Sequence, residues 1–292
     1  MSSPVPVHRA GDTVPRVSVK RGIFAAPFDE LVDPRTLADL ASAAEDRGWD
    51  GFFVWDHIRY REPARAVADP WVALSAIALA TERLRIGPMV TPLSRRRVHK
   101  LARETVTLDH LSRGRLVLGV GLGSDLNNEL EPFGEVTDPR ERARLLDDGL
   151  ARLTQFWSGE FEPPPVQRPR IPVWAAARWP NVSGRRMGEK PATRACRERA
   201  RLVSNRRPLR RAARWDGLFP IELPGPEALA ALVEEVREMR GGTQEPFDFV
   251  AEISPGDPVE PWEAVGATWV LTGFDFTPKL DEVREAIEAG PA

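Results

Sequence analysis

From Val17 to the end of the chain, short apolar runs alternate with amphipathic stretches, and no two strand-like runs meet across a tight turn. That rhythm restricts the fold more than any other feature. Strands joined by helix-length crossovers pair in parallel, whereas antiparallel neighbours are joined by hairpins. The strand candidates are 19–25, 51–55, 84–90, 115–120, 171–176, 217–220, 247–251 and 268–271. Three intervening helices open with Asp-Pro, at Asp33-Pro34, Asp69-Pro70 and Asp138-Pro139. Aspartate there caps the helix and proline occupies the first helical position, where its missing N–H costs nothing. In the first helix Leu37, Leu40, Ala41 and Ala44 recur at helical spacing, and Gly48 ends it. Further helices are expected at 98–111, 208–214, 226–239 and 280–287. Eight strand–helix units in 292 residues predict a closed (β/α)8 TIM barrel, a fold that reaches ~250 residues as one unit. An open doubly wound sheet is the runner-up. In a closed barrel, the loops after each strand carry the chemistry.

Composition narrows the class. The chain is 42% hydrophobic and 29% charged, with a net charge of -2, which gives no general reason to expect nucleic acid or an anionic membrane as a partner. No apolar run approaches the ~20 residues of a membrane span, and the first residues lack a signal-like apolar core. Cys196 is the only cysteine, so no intrachain disulfide forms. These features predict a cytoplasmic protein with a floppy tail over 1–16 and a single barrel over 17–292. Four histidines without HxH or HExxH spacing argue against a metal site, and no Gly-x-Ser-x-Gly elbow is present.

Several blocks occur together and in order: AEDRGWDGFFVWDHI (44–58), TERLRIGPMVTPLSRRR (81–97), LARETVTLDHLSRGRLVLGVGLG (101–123), RERARLLDDGLARLTQFWSG (140–159), then IPVWAAARWP and RRPLRRAARWDGLFP. Jointly they resemble the bacterial-luciferase-like superfamily of flavin- and F420-dependent oxidoreductases over nearly the whole barrel. The resemblance implies a (β/α)8 fold, a homodimer, and FMN or coenzyme F420 at the carboxyl face, with hydride transfer or monooxygenation of a small organic substrate. The Trp-Asp-His block and the short barrel resemble F420-dependent members more, so F420 is favoured. An FMN-dependent oxygenase would need a partner flavin reductase, since no nicotinamide-binding domain is visible.

Site candidates follow strand by strand. Trp55-Asp56-His57 ends the second strand. Imidazole as a side-chain type suits acid–base work at neutral pH, which makes His57 the candidate; Asp56 would bond the ring edge or hold the histidine tautomer, and Trp55 would line the substrate side. The bland alternative is a capping aspartate and a packed histidine. Pro88, Met89, Val90 and Thr91 end the third strand, where similar barrels often carry a non-prolyl cis peptide beneath the isoalloxazine ring; Thr91 would hydrogen-bond that ring. Gly119-Val120-Gly121-Leu122-Gly123 is not a dinucleotide fingerprint, because no helix opens directly after it. Gly121 and Gly123 instead leave room for a flat ring. Leu122 stands where some deazaflavin members have an acid; Asp125 lies nearby, and Asp125, Asn127 and Glu129 would line the substrate side. Ala176, Ala177 and Arg178 end the fifth strand and would hold the cofactor phosphate with the following helix. Arg95-Arg96-Arg97 reads as a solvated loop, with facing an anionic ligand as the alternative.

One segment does not fit. Residues 181–204 carry seven Lys/Arg against Glu189 and Glu198, with few apolar positions, a disorder-like composition. Three readings stand: a neutral surface insertion, a lid whose arginines meet the F420 polyglutamate tail or an acidic substrate, or an insertion that spoils the phosphate pocket. The last makes the chain a non-catalytic flavin-binding barrel, which is one rival function; a metal-dependent barrel hydrolase is another. A chain deleted of 181–204 is expected to stay soluble, with the helical circular dichroism of the full chain. Loss of that spectrum would make the segment integral to the fold.

Overall fold

The computed structural model describes residues 19–179, 206–243 and 245–291. The 1–16 tail and the 181–204 insertion lie outside the described residues. Nine strands form one all-parallel sheet: β1 (Lys20–Ala25), β2 (Gly51–Val54), β3 (Arg85–Pro88), β4 (Thr91–Pro92), β5 (Leu118–Gly121), β6 (Val173–Arg178), β7 (Gly217–Ile221), β8 (Asp248–Ile253) and β9 (Trp269–Gly273). Their order is β3-β2-β1-β9-β8-β7-β6-β5-β4. The two ends are halves of one strand, interrupted at the Met89–Val90 peptide, which is cis. A parallel bridge from Ile86 to Leu116 joins β3 to the approach to β5 and completes the ring. The eight-unit barrel expected from the alternation is therefore observed, and the open sheet is excluded.

The helices are α1 (Pro34–Asp46), α2 (Pro70–Ala80), α3 (Val98–Leu111), α4 (Pro139–Gln155), α5 (Arg206–Ala212), α6 (Pro226–Met239), α7 (Glu260–Ala264) and α8 (Leu280–Ala289). All three Asp-Pro openings form as expected. The Asp33 carboxylate accepts the Arg35 amide, Asp69 accepts those of Trp71 and Val72, and Asp138 accepts those of Arg140 and Glu141. Such a cap contributes ~1 kcal/mol to its helix. The short α7 was not foreseen: it is too brief to show an apolar period and buries chiefly Trp262.

Two apolar layers result. One lies between strands and helices and holds Leu37, Leu40, Ala41 and Ala44, as the α1 pattern predicted. The other fills the barrel itself, with Phe24, Phe53, Met89, Val117, Trp174, Phe219, Val250, Trp269 and Leu271. Phe53, Trp174 and Trp269 meet pairwise with centroids 5.4–5.7 Å apart. Only glycine fits at position 51, since a Cβ there would lie 2.7 Å from Phe53 and 2.9 Å from Trp269. The aromatic plug closes the barrel interior below and leaves the carboxyl ends as the open face.

Candidate active site

Directly beyond β2, the chain turns Trp55, Asp56 and His57 over the carboxyl end of the barrel. The His57 Nδ1 is 2.7 Å from Glu129 Oε2, and the other oxygen of Glu129 accepts the Ile58 amide at 3.0 Å. Arg95 bridges the two acids, donating to Glu129 Oε1 and to Asp56 Oδ1, each at 2.9 Å. Arg96 donates to both Asp56 oxygens at 3.0 Å, and the Thr91 hydroxyl donates to Asp56 Oδ2 at 2.7 Å. The Asp56 side chain is wholly buried and that of Glu129 nearly so.

Several sequence expectations change here. Asp56 does not hold the histidine; Glu129, 72 residues away in sequence, does. Thr91, expected to bond a cofactor ring, gives its hydroxyl to Asp56 and is fully buried. The arginine run is not solvated as a whole: Arg95 and Arg96 neutralise buried carboxylates, and only Arg97 is exposed. Their strand-end position brings them over Asp56, a placement that linear sequence does not announce. Asp125 closes its own loop by accepting the Leu130 amide at 2.7 Å. His99 and His110 are on the surface, as expected.

Burial works to raise the Glu129 carboxyl, but the hydrogen bond and charge of His57, the Ile58 amide and Arg95 outweigh it, so the group lies below the ordinary glutamate range. An ionised Glu129 only accepts. The proton of the His57–Glu129 bond therefore sits on Nδ1, and Nε2 is left as the nitrogen able to exchange a proton at the mouth. His57 is partly exposed, with Tyr60, Trp55 and Phe28 around it at 4.9–6.0 Å between centroids. Phe276 extends this aromatic wall from the loop after β9.

The floor of the mouth is lined by small or apolar side chains. Val90, Ala176, Ile221 and Trp55 are partly buried and pack on the barrel core. A Cβ on Gly121 would stand 2.9 Å from Val90 and 3.6 Å from Ala176. Pro88 and Met89 lie buried beneath. The Trp55 indole nitrogen is buried without a hydrogen-bond partner among the described residues. Gly123 adopts φ 71°, and its carbonyl accepts from Arg142 at 2.7 Å. Ala177 is buried in the β6–β7 ladder, and Arg178 pairs with Glu222 at 2.9 Å. The residues that directly follow Trp179 lie outside the described ones. Glu252 on β8, not singled out in the sequence, also faces this mouth. Among the described residues, no three His, Cys, Asp or Glu converge as a metal site, and no helix is long and apolar enough to cross a membrane.

Residues 15–189 match the family described as luciferase-like monooxygenase. A curated relative, the F420-dependent glucose-6-phosphate dehydrogenase of Nakamurella multipartita, is 36% identical over 136 residues, which cover 45% of this chain and 39% of that protein. The match thus spans about two-fifths of the relative's length. Among solved structures, an F420-dependent secondary alcohol dehydrogenase in complex with an F420–acetone adduct aligns with a TM-score of 0.69 at 17% identity, covering 94% of this chain and 99% of that one. The monooxygenase RslO1 from Streptomyces bottropensis aligns with a TM-score of 0.65, also at 17% identity, covering 92% and 96%. Dehydrogenase and oxygenase thus share this barrel, and the fold alone does not choose between them.

Proposed function

The chain belongs to the luciferase-like monooxygenase family, and on that premise we propose that it is an F420-dependent oxidoreductase acting on a small organic alcohol or carbonyl compound. The His57–Glu129 pair carries this reading: a histidine with one nitrogen fixed by a buried carboxylate and the other left for proton exchange is the arrangement that acid–base chemistry at a reacting oxygen requires. F420 is favoured over FMN because the curated relative described above is an F420-dependent enzyme.

The mouth fits such a group. Val90, Gly121 and Ala176 offer a floor of small, uncharged groups, Gly121 lets Val90 pack against its backbone where a Cβ would stand 2.9 Å away, and the Trp55 N–H is a donor without an acceptor among the described residues. When bound, a deazaflavin supplies a two-electron hydride acceptor. Val90, Gly121 and Ala176 would support it from below, with Pro88, Met89 and Gly123 shaping the rim. Arg178 would meet its phosphate on release from Glu222, alongside the main chain of Ala176 and Ala177. His57 Nε2 would take the hydroxyl proton of an alcohol, or return one to a carbonyl oxygen, while Glu129 stabilises the imidazolium that forms. Asp56 with Arg95 and Arg96 would hold this loop in place, and the aromatic wall would exclude water. Asp125 would shape the substrate side through its loop, and the homodimer expected from the resemblance is part of the same proposal.

Titration with F420 and, separately, FMN tests the reading. Micromolar F420 binding, with turnover of secondary alcohols, is expected. Binding of neither cofactor would leave a non-catalytic barrel, and turnover only with FMN and a reductase would move the chain to the oxygenases.

A further inference from the structure

Glu252 faces into the barrel. Val250, two residues before it on β8, belongs to the interior core, and alternate strand residues share a face. A Cβ on Gly273, on neighbouring β9, would lie 3.0 Å from Glu252 Cγ and closer still to its carboxyl. The carboxyl therefore lies over the inner face of β9, one level above Val250, where the mouth opens. It is partly buried and makes no hydrogen bond or ion pair with a described residue. The charged group that faces it is Glu222, just past β7, and Glu222 is itself paired with Arg178 of β6. From β9 it meets Gly273 and no titratable side chain. Burial, and then the charge of Glu222, push Glu252 up to about 7. A carboxyl kept near neutrality in a cleft is a group able to give or take a proton at physiological pH.

The reaction proposed above needs such a second group. When an alcohol is oxidised, the C–H bond breaks and its electron pair leaves as hydride to the deazaflavin acceptor. The O–H bond breaks as well, and its electrons form the carbonyl. One proton departs from the substrate oxygen, and the acceptor, reduced by two electrons, takes up one proton. His57 and Glu252 rise from β2 and β8, which β1 and β9 separate in the ring. We infer that Glu252 is the second acid–base residue of this site, supplying a proton on the acceptor's side while His57 receives the substrate's. This rests on the oxidoreductase reading.

The test uses E252Q in the full chain and has two arms. In the unliganded protein, infrared difference titration is expected to show a carboxyl deprotonating near 7 in the wild type and not in E252Q. The sign for stability follows. Because the folded state favours protonated Glu252, its contribution to stability is fully present below the ordinary glutamate range and is lost as pH rises through about 7; E252Q lacks that loss. In turnover, E252Q is expected to lose the limb of the kcat/KM profile near pH 7 and roughly 100-fold in kcat, with F420 affinity unchanged. No titrating carboxyl near 7, or an E252Q profile superimposable on an active wild type, overturns the assignment of Glu252 alone. A wild type that turns over with neither F420 nor FMN overturns the oxidoreductase reading, and the catalytic role of Glu252 with it.

Discussion

His57→Ala is expected to lower kcat for F420-linked turnover by roughly 10²–10⁴-fold, the usual contribution of a positioned acid–base group, while F420 affinity and Tm stay close to wild type. The side chain is partly exposed and its one strong contact is Glu129, so its removal opens no large cavity. Glu129 remains held by Arg95 and by the Ile58 amide, so no carboxylate is left uncompensated. Stopped-flow reduction of the cofactor, read against equilibrium binding by fluorescence, separates the two effects. Unaltered reduction rates would remove His57 from the chemistry. Loss of cofactor binding alone would make it a wall of the pocket instead. Glu129→Gln refines the result: a neutral amide no longer stabilises the imidazolium formed when His57 takes a proton, so kcat should fall while cofactor affinity stays close to wild type.

Much of this arrangement was legible in the chain. The Asp-Pro openings and the 3–4 apolar spacing located helices such as Pro34–Asp46 and Pro226–Met239 because capping and amphipathicity are local properties. The strand-end rule then pointed to Trp55-Asp56-His57 before any coordinate was known. What stayed hidden were partnerships across sequence distance. Nothing near His57 announces Glu129, and Arg95 and Arg96 look like a solvated triplet until β4 brings them over Asp56. Glu252 escaped for a different reason. The apolar run defining its strand stops at Ala251, whereas the strand continues to Ile253, so an acidic residue that a linear reading puts in a loop is carried inside the barrel by strand alternation.

The buried ion set yields the second large effect, and it distinguishes an anchor from a catalyst. Asp56→Ala is expected to destabilise the fold by ~3–5 kcal/mol, the cost of removing one partner from a buried pair. With ~2–4 °C of Tm per kcal/mol for a domain of this size, the midpoint should fall by roughly 6–20 °C. The cause is not the loss of one bond. Asp56 is wholly buried and accepts from Arg95, Arg96 and Thr91; without it two guanidinium groups face each other in a desolvated site, with only the Arg95–Glu129 contact left among these pairs. Asp56→Asn separates the roles. An anchoring carboxylate predicts that the amide, which keeps shape and loses charge, still costs a large part of that stability, and that kcat falls only as far as His57 is displaced. An Asp56 that touched the reacting atoms would give the opposite pattern, a nearly unchanged midpoint with kcat lowered as steeply as in His57→Ala. Chemical denaturation of both variants beside their single-turnover rates decides between them, because an anchor moves stability first and a catalyst moves rate first.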